Sequence, residues 1–579
     1  MGLLVCFVAV FAVIASYFKW IHTYWKRRGV DGPVGLPFIG SFYDLADKDK
    51  PRGYILHEWT KKFGSIFGYY EGATPVLVVS DVYVLQEIFI KKFDCFYARK
   101  NTNRIHGDLE CSQEEPRVNL FAARGARWKR LRSLASPAFS VRALKQVHNT
   151  MENSVLCMID HMAKHENSAA FNIHEYYQEF TYDVISRLAM GQAYSEQFNN
   201  EGVNIVKKIF MRSNRTLPWY LAVLFPRFQN TVKNFFFKHE SIRGGDVALL
   251  YKFCEKAVYD RIKERSANAE QEIENDQNDF IDMFLDYYTE AEIEDAEFGT
   301  TVEKKVTSED VIGSCFVFLL AGFDTTANAL AYASYLLAKN PEKMHKAQQE
   351  IDEICTSENI SYDDIAKLNY LDAIIKEALR IYPVAWFACS RECVKTTTLG
   401  GLVIDKGVRI EADVTALHHS KEIWGENAEQ FVPERWLESS APRHTMSWIP
   451  FGAGPRQCVG MRLGMSEAKT ALAHVLRKWS IVAGPETEEQ LRIQGCTTTS
   501  PESKFLFEDV KSVPYMEFLI SDMDIANFKP DTVLMIAKKF MEINGMQRPI
   551  PLESPGIVRV DSDSDGSELA PRAPEAQLP

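Results

Sequence analysis

The sequence predicts a mainly α protein with small β-sheets, an α+β body. Three observations carry that prediction. From about residue 125 to 350, apolar residues recur at spacings of three and four, the pattern of one helix face. Strand signals are short: Pro75–Ser80, rich in β-branched residues, and scattered strand and turn patterns from about 394 to 415. No internal repeat of roughly 20–50 residues is visible, which excludes a solenoid or a propeller.

The composition fits a folded body. The 579 residues are 46% hydrophobic and 25% charged, which excludes wholesale disorder, a collagen and a polytopic membrane protein. The net charge of −12 argues against a nucleic-acid partner. A prior of about 150 residues per domain would give roughly four domains. Eleven cysteines, an odd number at irregular spacings from Cys6 to Cys496, do not form a disulfide framework and indicate a reducing compartment.

Taken in chain order, Gly2 to Phe18 carries no charged side chain, and Trp20 and Ile21 extend the run past Lys19. A bilayer core takes about 20 apolar residues in a helix. Lys19 can snorkel to the headgroups. Lys26, Arg27 and Arg28 follow, so the positive-inside bias leaves the rest of the chain in the cytosol. A cleaved signal peptide is the competing reading, but the basic n-region is missing and Ala12–Ala15 falls inside the apolar run. Residues 1–30 are therefore expected to be a transmembrane anchor with a basic flank. Asp31–Gly40, with two prolines and three glycines, reads as a stiff connector to the body.

Residues 266–310 are acidic and polar, a surface connection between helices. A long helix is expected to start after Thr307–Asp310, where cap-type and acidic residues gather, and to stop at Asn340–Pro341. Its middle, Cys315–Leu320, is apolar all round, as in a helix buried on every side. Residues 511–579 form a separate extension, weakly helical over 514–545 and of disorder-type composition from 552 onward.

The chemistry gathers in Phe451-Gly-Ala-Gly-Pro-Arg-Gln-Cys458-Val-Gly460. A cysteine stands in a glycine-rich loop just before a helical pattern. Glycines let the backbone approach something large and flat. N–H groups at a helix start, together with Arg456, favour a thiolate. An isolated cysteine would read as a small buried hydrophobe; the loop around Cys458 changes that reading.

Phe451, Gly454, Arg456, Cys458 and Gly460 match the FxxGxRxCxG signature of the cytochrome P450 family, and the chain resembles that family over about residues 31–505. Glu377-Ala-Leu-Arg380 resembles its ExxR motif. Pro433-Glu-Arg-Trp436 resembles its PERF-type segment, and Ala321-Gly-Phe-Asp-Thr-Thr326 its oxygen-activation motif. Trp128 and Arg132 fit its WxxxR pattern, and the stretch Trp128–Phe139 looks closest to the CYP3-like group of animal microsomal enzymes. The resemblance implies one haem domain over residues 31–510, in place of several domains. It implies haem b with Cys458 as the axial thiolate, a ligand type that favours O–O bond cleavage. Phe451, Gly452, Arg456, Trp128, Arg132 and Arg391 would hold the haem, the cations and the indole N–H meeting its propionates. Asp324 and Thr325 would be the acid–alcohol pair that organises proton delivery, and Glu377, Arg380 and Arg435 would support the haem loop.

The implied function is a monooxygenase that inserts one atom of O2 into a lipophilic small molecule: a steroid, a fatty acid or a foreign compound. Electrons would come from NADPH–cytochrome P450 reductase, with cytochrome b5 as a further donor. The place would be the endoplasmic reticulum membrane, single-pass, with the catalytic domain facing the cytosol. Arg124, Arg127, Lys129, Arg130, Arg132, Arg142 and Lys145 are expected to form a basic face for the reductase. Leu217–Pro226 reads as an apolar loop touching the membrane. Phe316, Phe323, Val384, Ala385, Trp386 and the 101–123 loop are the expected pocket walls. Relatives continue past about residue 502 with a β-strand; here Phe505-Leu-Phe-Glu-Asp-Val-Lys is read as replacing it. Two alternatives follow: a haem-thiolate isomerase or dehydratase of oxygenated lipids, and a non-catalytic haem protein if the altered C-terminus disrupts the pocket.

Overall fold

A computed structural model of the chain describes residues 2–99, 117–164, 171–225, 245–270, 279–293, 298–437, 443–484, 487–495, 498–501 and 506–509, with isolated positions between 228 and 236. The chain divides into two compact units, Met1–Ser512 and Val513–Pro579, and every described residue lies in the first. The expected extension 511–579, the 101–116 part of the loop and Cys496 lie outside the described residues.

The long helix runs Ser308–Lys339. Thr307 and Asp310 form a reciprocal capping box, each side chain taking the other residue's backbone N–H. Asn340 ends the helix, and Pro341 opens the next one, Pro341–Ile354, from its first turn. The apolar middle has the expected consequence: nearly every residue from Asp310 to Ala338 is buried. Helices Ile173–Met190, Asp246–Glu270, Asn369–Ile381 and Met461–Lys478 pack around it and share one large apolar core. The helix therefore runs through the centre of the core.

The strands are short, as expected. The largest sheet has four, in the order Ile66–Glu71, Thr74–Val79, Arg409–Ala412, Ser390–Glu392. Thr74–Val79 pairs antiparallel with the first strand and parallel with Arg409–Ala412. Two-residue hairpin geometry joins the first pair at Gly72 and Ala73.

Three expectations change. The C-terminal strand is not replaced: Leu506–Asp509 is a strand, paired antiparallel with Trp479–Val482. The reading failed because the segment's alternation, Leu-Phe-Glu-Asp, is weak, and the partner lies far back in the chain. Leu217–Leu224 is a short helix rather than a loop, with Pro218 in its first turn. Ala222 and Val223 are buried, Leu217 and Phe225 are exposed, and Trp219 and Tyr220 pack against Phe42 and Ala46.

The third change concerns the N-terminus. The helix Gly2–Ile21 forms, and the stretch Leu4–Arg28 has the length and hydropathy of a membrane span, with 12% of it buried. The body, however, begins before the Asp31–Gly40 connector. Trp25 is 2% exposed, donates its indole N–H to Tyr69 O at 3.1 Å and takes the Tyr70 hydroxyl on its own backbone N–H at 2.9 Å. Its ring lies 2.3 Å from where a Cβ on Gly68 would sit, so only glycine fits beneath it.

Candidate active site

The glycine-rich loop is shaped by two residues in left-handed backbone, Gly452 at φ +71° and Gly454 at φ +69°. A Cβ on Gly454 would sit 2.0 Å from the carbonyl oxygen of Phe89, so a side chain is excluded there twice over. The loop closes on itself through Cys458 N–H to Phe451 O at 2.9 Å and Gln457 N–H to Gly454 O at 2.9 Å. Helix Met461–Lys478 follows directly. The Cys458 thiol is enclosed by protein yet exposed, because it faces a cavity. Burial pushes the thiol up, and the Gly460 N–H, Arg132 and Arg99 oppose that shift.

The cavity lies between this loop and the long helix. Ala321, Gly322 and Thr325 form one wall, and Leu379, Val384 and Ala385 form another. Of the cysteines among the described residues, Cys458 alone lines it. Arg99, Trp128, Arg132 and Arg456 line one end. Arg456 stacks on the Trp128 ring at 4.4 Å and donates to Tyr97 O at 2.8 Å and Ala123 O at 2.5 Å. Arg132 donates to Gln457 O at 2.8 Å. Arg99 donates to Arg456 O at 2.8 Å. Among the described residues, none of these arginines has a carboxylate partner. Burial, followed by mutual repulsion, pulls Arg456 far down, and burial pulls Arg99 to about 10.

The other expected residues stand as follows. Phe451 lines the cavity, whereas Gly452 shapes the loop without lining it. Arg391 also stands behind the wall: it lies over the Phe89 ring at 4.5 Å, donates to Ser390 O at 2.8 Å, and burial lowers it to about 9. Thr325 lines the cavity, with its hydroxyl donated to Ala321 O at 2.6 Å. Asp324 is buried and does not line it; its Oδ2 accepts from Asn328 Nδ2 at 2.9 Å and from Thr498 Oγ1. Burial raises Asp324 to about 6, and those two donors oppose the shift.

Half of the expected pocket wall is elsewhere. Phe316 stacks face to face on Tyr251 at 4.0 Å, Phe323 sits edge-on to Tyr182, and Trp386 stands 5.7 Å from the Arg52 guanidinium. The 101–123 loop does contribute, through Leu120 and Phe121, and Phe210, Phe318 and Phe387 line the cavity in place of the other three. A helix apolar all round gives no moment to say which face meets the cavity, so Phe316 could not be told from Phe318. Three polar residues of the lining were also missed: Arg99, Glu467 and Thr498. Arg99 stands beside Lys100 after a stretch that includes Asp94, a local pattern that gives no sign of a cavity. Glu467 is buried on the helix after Cys458, raised well above the carboxylate range by burial, with Thr326 as an opposing donor.

The basic face expected at 124–145 is a correction. Arg124 pairs with Glu392 at 2.9 Å, and Arg127 and Arg130 both reach Asp310 at 2.8 Å; all three arginines are buried. Arg127 and Arg130 hold the start of the long helix and Arg124 holds the Ser390–Glu392 strand, and only Arg142 and Lys145 of the cluster are exposed. The supporting triad does assemble. Glu377 accepts from Arg380 at 2.8 and 2.9 Å, from Arg435 at 2.9 Å and from the Trp436 indole at 2.9 Å. Trp436 contacts Trp448, and Trp448 contacts Phe451 of the cysteine loop.

A family model described as Cytochrome P450 matches residues 30–507. The chain belongs to the cytochrome P450 family. It is 70% identical over 507 residues to the Caenorhabditis elegans protein named cytochrome P450 cyp-13B1, covering 88% of this chain and 99% of that one. It is 41% identical over 516 residues to CYP13A1 of the same organism, covering 86% and 97%. These names state no substrate. Cytochromes P450 bind haem b through a cysteine thiolate on its iron, and their general activity is monooxygenation. The residues present fit that group: an apolar slot, a thiol facing it, and at one end arginines without carboxylate partners, suited to two propionates.

Proposed function

We propose that this chain is a membrane-anchored haem-thiolate monooxygenase of lipophilic small molecules, with Cys458 as the axial ligand. The observation that carries the reading is the placement of Cys458, alone among the described cysteines, in an apolar cavity whose far wall is the Ala321–Thr325 segment. When bound, the haem supplies dioxygen activation and transfer of one oxygen atom, the second leaving as water. The protein's part is placement. Cys458 is aimed by the closed loop, Arg99, Arg132, Arg456 and Trp128 would hold the propionates, and Ala321 and Gly322 leave low bulk where dioxygen would enter. Asp324 and Thr325 supply the acid and the alcohol for proton delivery. Phe121, Phe318 and Phe387 select a lipophilic substrate and exclude water.

Electrons come from NADPH–cytochrome P450 reductase, with cytochrome b5 as a second donor, at the endoplasmic reticulum membrane. The membrane reading is supported by one edge of the molecule. There the N-terminal helix meets the Gly72 turn through His22 Nε2 on Gly72 O at 3.0 Å, and Val223 of the 217–224 helix meets the same turn. The strand Leu506–Asp509 supports the catalytic reading over a non-catalytic haem protein, because it stands where the expected strand was read as replaced.

The test is a reduced, carbon-monoxide-bound absorption spectrum of the full-length protein and Cys458→Ser, followed by a product screen with lipophilic compounds, reductase and NADPH. A thiolate-type Soret band in the wild type alone is expected. The same band in Cys458→Ser, or no oxygenated product from any lipophilic class, overturns the reading.

A further inference from the structure

The carboxylate of Asp324 is held by a chain of donors that all point one way. His174, at the start of helix Ile173–Met190, places Nε2 2.7 Å from Asn328 Oδ1. Burial lowers His174 to about 4, so the ring is neutral, and the nitrogen that faces an amide oxygen is the one carrying the proton. That bond fixes the Asn328 amide with Nδ2 toward Asp324, 2.9 Å from Oδ2. The Thr498 hydroxyl donates to the same oxygen. Tyr332, on the same helix, also senses the Asp324 charge.

Three details make this a clamp rather than a relay. An amide orients a proton donor but does not pass a proton on readily, so the chain cannot feed Asp324 from solvent. Asp324 does not line the cavity although its neighbour Thr325 does, and the Thr325 hydroxyl is occupied by Ala321 O. Of the clamp's members, Thr498 alone is part of the cavity wall. Its neighbour Thr499 hangs on the opposite wall, with N–H to Val384 O at 3.0 Å and Oγ1 to Pro383 O at 3.2 Å. A molecule that presses on Val384 and Ala385 therefore moves the segment that holds the acid.

We infer that Thr498 is a positioning residue that keeps Asp324 turned away from the cavity until a bound substrate shifts the 498–499 segment and frees the carboxylate. This rests on the monooxygenase reading above, in which Asp324 is the acid. It assigns a further role, tying proton delivery to occupancy of the cavity.

The test compares full-length haem-loaded wild type, Thr498→Val, Thr498→Ser and Asp324→Asn. The first readout is infrared difference titration of the carboxyl band that Asp324→Asn abolishes. Thr498→Val, which removes a donor to the charged form, moves its midpoint upward, and Thr498→Ser returns it. The second is hydrogen peroxide formed per NADPH without substrate. Thr498→Val raises it at least threefold with an unchanged reduced carbon-monoxide band, and Thr498→Ser stays near wild type. An unmoved midpoint, or Thr498→Ser behaving as Thr498→Val, overturns the inference and leaves the monooxygenase reading intact. Full product formation by Asp324→Asn overturns the acid reading, and is told apart because the infrared midpoint still follows Thr498.

Discussion

Arg435 donates Nε to Glu377 Oε1 at 2.9 Å across 58 residues of chain, and both side chains are buried. Arg380 shares the same carboxylate and spends its remaining donors on His418 O, Ala428 O and Gln430 O. One carboxylate thus ties the Asn369–Ile381 helix to the segment leading into the cysteine loop. Removing one charge from such a group strands the others in a low-dielectric interior, a cost of roughly 3–5 kcal/mol. Glu377→Gln is expected to lower stability by that order and to leave little haem-loaded protein, measured by chemical denaturation and by the reduced carbon-monoxide band.

Arg99 and Arg456 meet at the cation-rich end of the cavity. If they receive propionates, each replacement by alanine should speed haem loss, and the double replacement should do so more than either alone. Transfer of haem to an excess of apomyoglobin measures the rate. Arg391→Ala, which stands behind the wall, is expected to act mainly on stability.

Asp324 is raised to about 6 in the folded protein. A carboxyl raised on folding binds its proton more tightly in the native state than in the unfolded chain. Its contribution to stability is whole at pH values below the unfolded carboxylate range and is lost as pH rises through about 6. Between pH 5 and 7 the wild type should therefore lose roughly 1 kcal/mol that Asp324→Asn retains. Denaturant midpoints of the two proteins, compared across that window, check the slope.

Arg127 and Arg130 converge on Asp310 in the first turn of the long helix. Alanine at either leaves Asp310 paired with the other and is expected to destabilise the fold by about 1–3 kcal/mol, the cost of a lost hydrogen bond to a charged group. The double replacement strands the carboxylate and costs roughly 3–5 kcal/mol, in each case without a specific defect in electron delivery. Charge reversal at the exposed Arg142 and Lys145 is expected to do the opposite, slowing the first reduction step in low salt while leaving the denaturation midpoint near wild type. Stopped-flow reduction at two ionic strengths separates the two behaviours.

Local patterns were the readable part. The cap at Thr307, the stop at Pro341 and the five positions around Cys458 depend on neighbours a few residues away, and each is where the pattern puts it. The paired roles of Glu377 and Arg380 are likewise one helical turn apart. What stayed hidden depended on distant partners. A run of arginines reads as a solvated face unless Asp310, some 180 residues on, is known to lie beneath it. The clamp on Asp324 joins residues 174, 324, 328 and 498, a set that no spacing rule collects. Arg99 needed the cavity itself to give it meaning.

Trp25 seated over Gly68 leaves the molecule without a seam between the N-terminal helix and the body. A soluble version cut at the proline-rich connector would remove the indole that covers Gly68 and bonds Tyr69 O, opening an apolar hole on the largest sheet. The place to cut lies earlier, ahead of Phe18 and Ile21, where the helix is still exposed. With the indole seated in the body, a bilayer that held the N-terminal helix would also set which way the body faces. The chain that would hold the protein in a bilayer would thereby aim it as well.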